Sequence, residues 1–166
     1  MGRRRNRRQG CQPLEISRQP LGSPAPDVSW IRNPIRKLLK DSFRILIYAR
    51  YSTEDQNPRS IDAQIEYCKA FLRALGVTNY ELEICQDVEL SGELRNRPGI
   101  DKVWSGVRQR RWDLIVVEDA SRLYRHDSWA VDLVGLAYDK KIRTICINDR
   151  VDSGESIDFW LDRLAE

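Results

Sequence analysis

From residue 43 onward, the chain alternates short apolar runs with longer segments in which apolar residues recur every three or four positions. Residues 45–49 and 114–117 are continuously apolar, and residues 142–147 are largely so. Strands that are buried on both faces of a parallel sheet have this pattern. Residues 80–84 alternate apolar and polar side chains, which predicts a further, more exposed strand.

Helices are predicted between these strands. Residues 61–75 carry an apolar stripe that ends before Gly76, residues 98–107 carry a second stripe that is entered through Pro98, and Asp127 can cap a third helix over residues 127–136. A fourth helix is predicted over residues 157–166. The alternation of strands and helices predicts an α/β domain of three layers, with a largely parallel central sheet and helices on both faces.

Residues 1–42 differ from the rest of the chain in composition. They carry 10 Lys and Arg against 3 Asp and Glu and hold five of the seven prolines, whereas residues 43–166 carry 18 against 22. A basic, Pro-rich segment buries little apolar surface, so we predict a largely disordered tail, with one helical turn over residues 35–40, ahead of a domain spanning residues 43–166. The tail is either an arm that binds nucleic acid or a solvated extension, including sequence upstream of the natural start.

Composition also predicts where the protein resides and whether its cysteines are free. No stretch approaches the roughly 20 apolar residues of a membrane-spanning helix. No apolar run follows the N-terminal arginines as it would in a secretory signal, so we expect a cytoplasmic protein without a membrane partner. The cysteines are far apart and form no CxxC pair, which favours free, buried thiols over a metal site or disulfides at Cys11, Cys68, Cys85 and Cys146.

Cationic and hydroxyl side chains follow the predicted strands. The carboxyl ends of parallel strands meet at one edge of a sheet, so the residues after the first and third strands are expected to face each other. A helical turn over residues 121–125 would place two arginines on one side. Ser52 would then lie inside a cluster of arginines that comprises Arg50, Arg122 and Arg125, with Arg95 and Arg97 in the loop after the second strand.

A serine among guanidinium groups indicates chemistry on a phosphodiester. Guanidinium groups bind phosphate oxygens bidentately, remain charged at any working pH and stabilise the negative charge that develops when a nucleophile attacks phosphorus. Other chemistries lack their parts: His126 is the only histidine, and neither GxxxxGK[ST] nor a GxGxxG after the first strand is present.

At these positions the sequence resembles the serine site-specific recombinases of the resolvase and invertase type. Residues 48–52 resemble the Y-x-R-x-S nucleophile motif, and residues 60–64 resemble the S-[LI]-x-x-Q stretch at the start of the first helix. Residues 87–92 with 97–99 resemble the D-x-x-x-S-G…R-P-G segment, and residues 121–125 resemble the D-R-L-x-R motif. The resemblance covers residues 44–166 and implies a resolvase-like catalytic domain.

The resemblance also implies a mechanism. Ser52 would attack the scissile phosphate and form a 5′-phosphoserine bond, releasing a 3′-hydroxyl. The arginines would activate the serine and hold the phosphoryl group: Arg50, Arg122 and Arg125, with Arg97 at the rim. Further positions would support or line the site: Tyr48, Gln56, Asp62, Gln64 and Ser91. The reaction would need no metal or cofactor, and the enzyme would act as a homodimer and tetramer on paired sites in double-stranded DNA, in a bacterium, phage or mobile element.

The sequence departs from the family pattern in two places. Ser121 stands where the motif usually carries aspartate, and Asp119 is expected to point elsewhere if this segment is extended. The family's long helix after the last strand, which leads to a DNA-binding domain, is expected to be cut short at residue 166. Two alternatives therefore remain beside a recombinase: an inactive remnant or DNA-associated regulator of the same fold, and an unrelated α/β module that binds a small anion or a protein.

Overall fold

The computed structural model describes residues 25–33, 35, 43–52, 60–89, 97–123 and 127–154. The strands are β1 (Phe43–Ser52), β2 (Tyr80–Glu89), β3 (Leu114–Val117), β4 (Arg143–Cys146) and β5 (Val151–Asp152). The helices are α1 (Ile61–Ala74), α2 (Pro98–Arg108) and α3 (Asp127–Asp139), and a 3₁₀ turn spans Ala120–Arg122.

The strands form one sheet in the order β2-β1-β3-β4-β5. The first four are parallel, as predicted, and β5 pairs with β4 in the antiparallel direction. The strand predicted at residues 80–84 continues to Glu89 and pairs with β1 along its whole length. β5 was not predicted, because two residues after a turn are too few to show a periodic pattern.

Two apolar clusters lie on opposite faces of the sheet, which confirms the three layers. Successive residues of β1 point to opposite faces. Ile45, Ile47 and Ala49 pack with α1, whereas Leu46 and Tyr48 pack with α2 and α3. The three cysteines that the structure describes are free and buried, as predicted, and Cys11 lies outside the described residues.

Residues 25–33, which we call the strap, pack against the α1 face of the domain. Val28, Trp30 and Ile31 contact that apolar cluster, and the Trp30 ring lies 5.9 Å from the Phe71 ring between centroids. At its other end, Asn33 donates a hydrogen bond to Gly154 O at 2.8 Å. Contacts with the domain therefore begin before residue 43, although residues 1–24 lie outside the described part of the chain.

Three further predictions concern element ends. The structure has Asp127 as the first residue of α3 rather than as its cap. The helix predicted over residues 157–166 lies outside the described residues, as do residues 36–40 of the predicted turn before β1. None of the described helices is long and apolar enough to cross a bilayer.

Candidate active site

Gln64 on α1 fixes the carboxyl end of β1. Its side-chain oxygen accepts a hydrogen bond from Arg50 N at 3.2 Å, and its amide nitrogen donates to Arg50 O at 2.8 Å. Both residues are buried. Ser52 is the last residue of β1 and is paired in register with Glu89 of β2. The position that the sequence assigns to the nucleophile therefore lies at the end of a strand that α1 contacts through Gln64.

Asp87 joins β2 to the N-terminus of α2. Its carboxylate accepts hydrogen bonds from Gly99 N at 2.7 Å and Ile100 N at 2.9 Å, two N–H groups that a helix start leaves without intrahelical partners. A Cβ at Gly99 would lie 2.5 Å from Gln86 O, so only glycine allows the helix to approach the strand this closely. The N-terminus of α2 is thereby anchored beside the end of β1.

Arg97 connects this helix start to the segment after β3. One terminal nitrogen of Arg97 donates to the Tyr48 hydroxyl oxygen at 2.9 Å and to Arg122 O at 3.2 Å. The Tyr48 hydroxyl in turn donates to Asp87 at 2.7 Å. Burial raises the pKa of Tyr48 well above its ordinary value; Arg97 opposes this shift and Asp87 adds to it. Tyr48 therefore acts as a neutral bridge between a carboxylate and a guanidinium group.

The 3₁₀ turn after β3 carries Arg122, which is only 7% exposed. Its guanidinium group donates to Arg50 O at 3.4 Å and forms ion pairs with Glu118 at 3.5 Å and Asp119 at 3.4 Å. Asp119 was expected to point away from position 121 if the segment were extended. The segment forms a turn instead, and this turn brings Asp119 within reach of Arg122 and of the Ser121 hydroxyl, which donates to it.

The turn between β4 and β5 supports the Arg122 segment from the other side. Ile147 N donates to Val117 O at 3.1 Å, and Asn148 N donates to Glu118 O at 2.8 Å, so the chain continues to pair beyond the end of β4. Asp149 accepts from Ala120 N at 2.6 Å. Loss of hydration raises the pKa of Asp149, and the nearby Asp119 adds to this rise.

The structure brings together five of the ten predicted site residues: Tyr48, Arg50, Gln64, Arg97 and Arg122. It gives only the backbone placement of Ser52. Asp62 lies exposed in the first turn of α1, and no described site residue contacts it. Gln56, Ser91 and Arg125 lie outside the described residues.

Sequence reasoning missed the supporting carboxylates, which are Asp87, Glu118 and Asp149. For Asp87 a signal existed: an acidic residue lies near the end of the second strand, and Pro98-Gly99 begins the next helix, where free N–H groups attract a carboxylate. No comparable signal marks Asp149, because its contact depends on the position of a short turn. Among the described residues, no group of three or more potential metal ligands is found.

These observations define an α/β domain with a cluster of partly buried arginines at the carboxyl edge of its sheet. Residues 45–162 match the family "Resolvase, N terminal domain". The chain therefore belongs to this family, the catalytic domains of serine recombinases. A comparison with curated proteins found no match.

Solved structures agree with this assignment. The N-terminal catalytic domain of TP901-1 integrase is similar at 25% identity and a TM-score of 0.59, over 74% of this chain and 91% of that one. A resolvase family site-specific recombinase from Streptococcus pneumoniae shares the fold at 22% identity and a TM-score of 0.61, over 75% and 84% of the two chains. The C-terminal catalytic domain of ISC1926 TnpA, an IS607-like serine recombinase, is 26% identical at a TM-score of 0.50, over 63% and 70%.

Proposed function

We propose that this domain cleaves and rejoins DNA strands in site-specific recombination, with Ser52 as the nucleophile. The observation that carries the proposal is that Arg122 and Arg97 contact each other beside the end of β1, the strand whose last residue is Ser52. Arg122 contacts Arg50 O at 3.4 Å, and Arg97 contacts Arg122 O at 3.2 Å. Ser52 follows Arg50 by two residues in the same strand, so by alternation positions 50 and 52 belong to one face of the sheet.

The proposed reaction depends on the positive charge of these arginines. The Ser52 oxygen forms a bond to phosphorus, its proton departs, and the 3′ oxygen of the DNA leaves and takes up a proton. The arginines stabilise the phosphoryl oxygens as negative charge accumulates on them. Family resemblance adds Arg125 to this set. The 5′-phosphoserine bond conserves the energy of the phosphodiester, so rejoining requires only attack by a 3′-hydroxyl, without a metal or cofactor.

The proposed partner is double-stranded DNA, bound at paired sites by dimers that assemble into tetramers in the cytoplasm of a bacterium. A body with 18 basic against 22 acidic residues over positions 43–166 does not attract DNA everywhere. DNA is therefore expected to approach the carboxyl edge of the sheet, where the arginines are concentrated.

A trapping experiment tests the nucleophile. A library of duplexes with randomised sequence and a 3′-bridging phosphorothiolate, whose thiolate leaves readily and rejoins poorly, is incubated with the chain and quenched in denaturant. Peptide mapping by mass spectrometry then locates any DNA-linked residue. We expect a link on Ser52 that is absent in Ser52→Ala. The neighbouring hydroxyl of Thr53 provides the matched comparison, because Thr53→Ala should still form the link.

Two outcomes contradict the proposal. A link that persists in Ser52→Ala assigns the nucleophile to another residue. The absence of any link, while circular dichroism shows that the original chain and Ser52→Ala are both folded, favours a non-catalytic protein of the same fold.

A further inference from the structure

We propose that Asp119, held by the Ser121 hydroxyl, is the residue that positions the Arg122 guanidinium group in the site. The effect of Asp119 on catalysis rests on the proposed function, whereas the effect of Asp119 on the position of Arg122 is independent of that function. The pair Asp119 and Ser121 thereby supplies this chain with a carboxylate on Arg122, although position 121 itself carries none.

Asp119 contacts both Ser121 and Arg122. One carboxylate oxygen accepts a hydrogen bond from the Ser121 hydroxyl, and the other lies 3.4 Å from Arg122 Nε. The backbone closes the same loop, because Arg122 N donates to Asp119 O at 3.2 Å. The hydroxyl therefore favours the orientation in which the other carboxylate oxygen faces Arg122.

Arg122 has a neighbour from a different part of the fold at each of its three nitrogens, one through a hydrogen bond and two through ion pairs. Nη1 donates to Arg50 O on β1, Nη2 pairs with Glu118 at the end of β3, and Nε pairs with Asp119. A guanidinium group is planar, so partners on three sides restrict both its place and the orientation of its plane. Without Asp119, the Nε side loses its ion pair and this restriction is weaker.

The surrounding charges explain why a hydroxyl suits position 121 here. Asp149 lies beside the same turn, with its carboxylate on Ala120 N at 2.6 Å, and Glu118 pairs with Arg122 from the strand side. A further carboxylate at position 121, added to Asp119, would place like charges next to each other. A carboxylate at 119 with a hydroxyl at 121 is therefore a matched pair, and the two groups are expected to be exchangeable only together.

Exchange of the Arg122 Nε–H proton with solvent, measured by ¹⁵N NMR, tests this without any DNA. We expect Asp119→Ala to accelerate exchange about tenfold or more, because the Nε side then loses its ion pair, and Ser121→Ala to accelerate it less. Ser121→Asp alone is expected to disturb Arg122, whereas the double variant Asp119→Ser/Ser121→Asp restores exchange to within about threefold of the original chain. Arg143, whose Nε donates to Asp152 at 2.8 Å, is the internal control.

The proposal is overturned if Asp119→Ala leaves Arg122 exchange within about twofold, or if the double variant behaves no better than Asp119→Ala. In the trapping reaction, Asp119→Ala should slow formation of the Ser52 link with DNA affinity unchanged, and the double variant should recover the rate. Failure of trapping in every chain, with the NMR pattern as expected, would count against the proposed function and leave the positioning of Arg122 established.

Discussion

Gln64 occupies the hydrogen-bonding position that a neighbouring strand would take beside Arg50. β1 pairs with β3 only as far as Ile47, and beyond it the Gln64 side chain both accepts from Arg50 N and donates to Arg50 O. On the side away from β2, the last part of β1 is therefore bonded by a buried side chain of α1, with Arg122 also donating to Arg50 O. The Gln64 side chain therefore adds to the pairing with β2 in fixing the backbone just before Ser52.

Replacing Gln64 by alanine should destabilise the domain. The change leaves two buried backbone groups of Arg50 without this partner, so we expect the free energy of unfolding to fall by about 2–4 kcal/mol. Urea denaturation followed by circular dichroism measures the change. Gln109→Ala, at the exposed end of α2, should stay within about 0.5 kcal/mol of the original chain. A loss below about 1 kcal/mol for Gln64→Ala would show that solvent replaces its bonds easily.

Substitutions of Arg122 separate its charge from its geometry. Arg122→Lys keeps the positive charge but loses the planar fork that contacts Arg50 O, Glu118 and Asp119. We expect the rate of Ser52 link formation to fall at least about tenfold in Arg122→Lys and about a hundredfold in Arg122→Ala. Arg108→Ala, an exposed arginine on α2, provides the control. A decrease of only two- to threefold in Arg122→Ala would mean that Arg122 has no part in the reaction.

Tyr48 should make stability depend on pH in the alkaline range. Its pKa is raised well above the ordinary 10.0 in the folded chain, so above pH 10 the unfolded chain loses a proton that the folded chain retains. The free energy of unfolding should then fall with rising pH, by about 1.4 kcal/mol per pH unit for this one proton.

Tyr48→Phe isolates that contribution, because the thiols Cys85 and Cys146 also have raised pKa values and remain in both chains. The variant should be less stable by about 1 kcal/mol at pH 7, since Asp87 and Arg97 lose their bridge. Its stability should decline less steeply above pH 10. Parallel curves for the two chains would show that Tyr48 ionises normally.

Much of the fold and part of the site could be predicted from the sequence, because both depend on repeating patterns. Apolar runs predicted the succession of strands and helices along the chain, and parallel strands bring their carboxyl ends together, which placed Arg50 near Arg122. The position of Asp119 could not be predicted, because it depends on a 3₁₀ turn that begins at Ala120, and the sequence left open whether this segment is extended or turned. The strap was obscured by composition, since its three large apolar residues lie within a basic, Pro-rich segment.

The strap provides a test of where the folded domain begins. A chain that starts at residue 25 keeps Val28, Trp30 and Ile31 on the α1 face and should retain the free energy of unfolding within about 0.5 kcal/mol. Trp30→Ala in that chain should lose about 2–3 kcal/mol, because its ring is partly buried against Phe71. Equal stability of Trp30→Ala and its parent in thermal or urea unfolding would show that the strap adds nothing to the domain.

Two helical glycines offer a matched pair. A Cβ at Gly106 in α2 would lie 2.1 Å from the Trp112 ring, whereas nothing lies within 4 Å of a Cβ at Gly135 in α3. Trp112 is itself fixed, since its ring nitrogen donates to Glu83 at 2.9 Å and the side chain is buried. A methyl group at position 106 must therefore displace α2, and with it Arg97 and the Asp87 contacts at the helix start.

We expect Gly106→Ala to destabilise the domain by about 3 kcal/mol or more through overpacking, and Gly135→Ala to stabilise it by about 0.5–1 kcal/mol through helix propensity. Urea denaturation of the two variants measures both changes. Adding Trp112→Leu to Gly106→Ala creates room for the methyl group, so the double variant should lose less than the two single losses added together. Simple additivity would mean that the Trp112 ring does not restrict position 106.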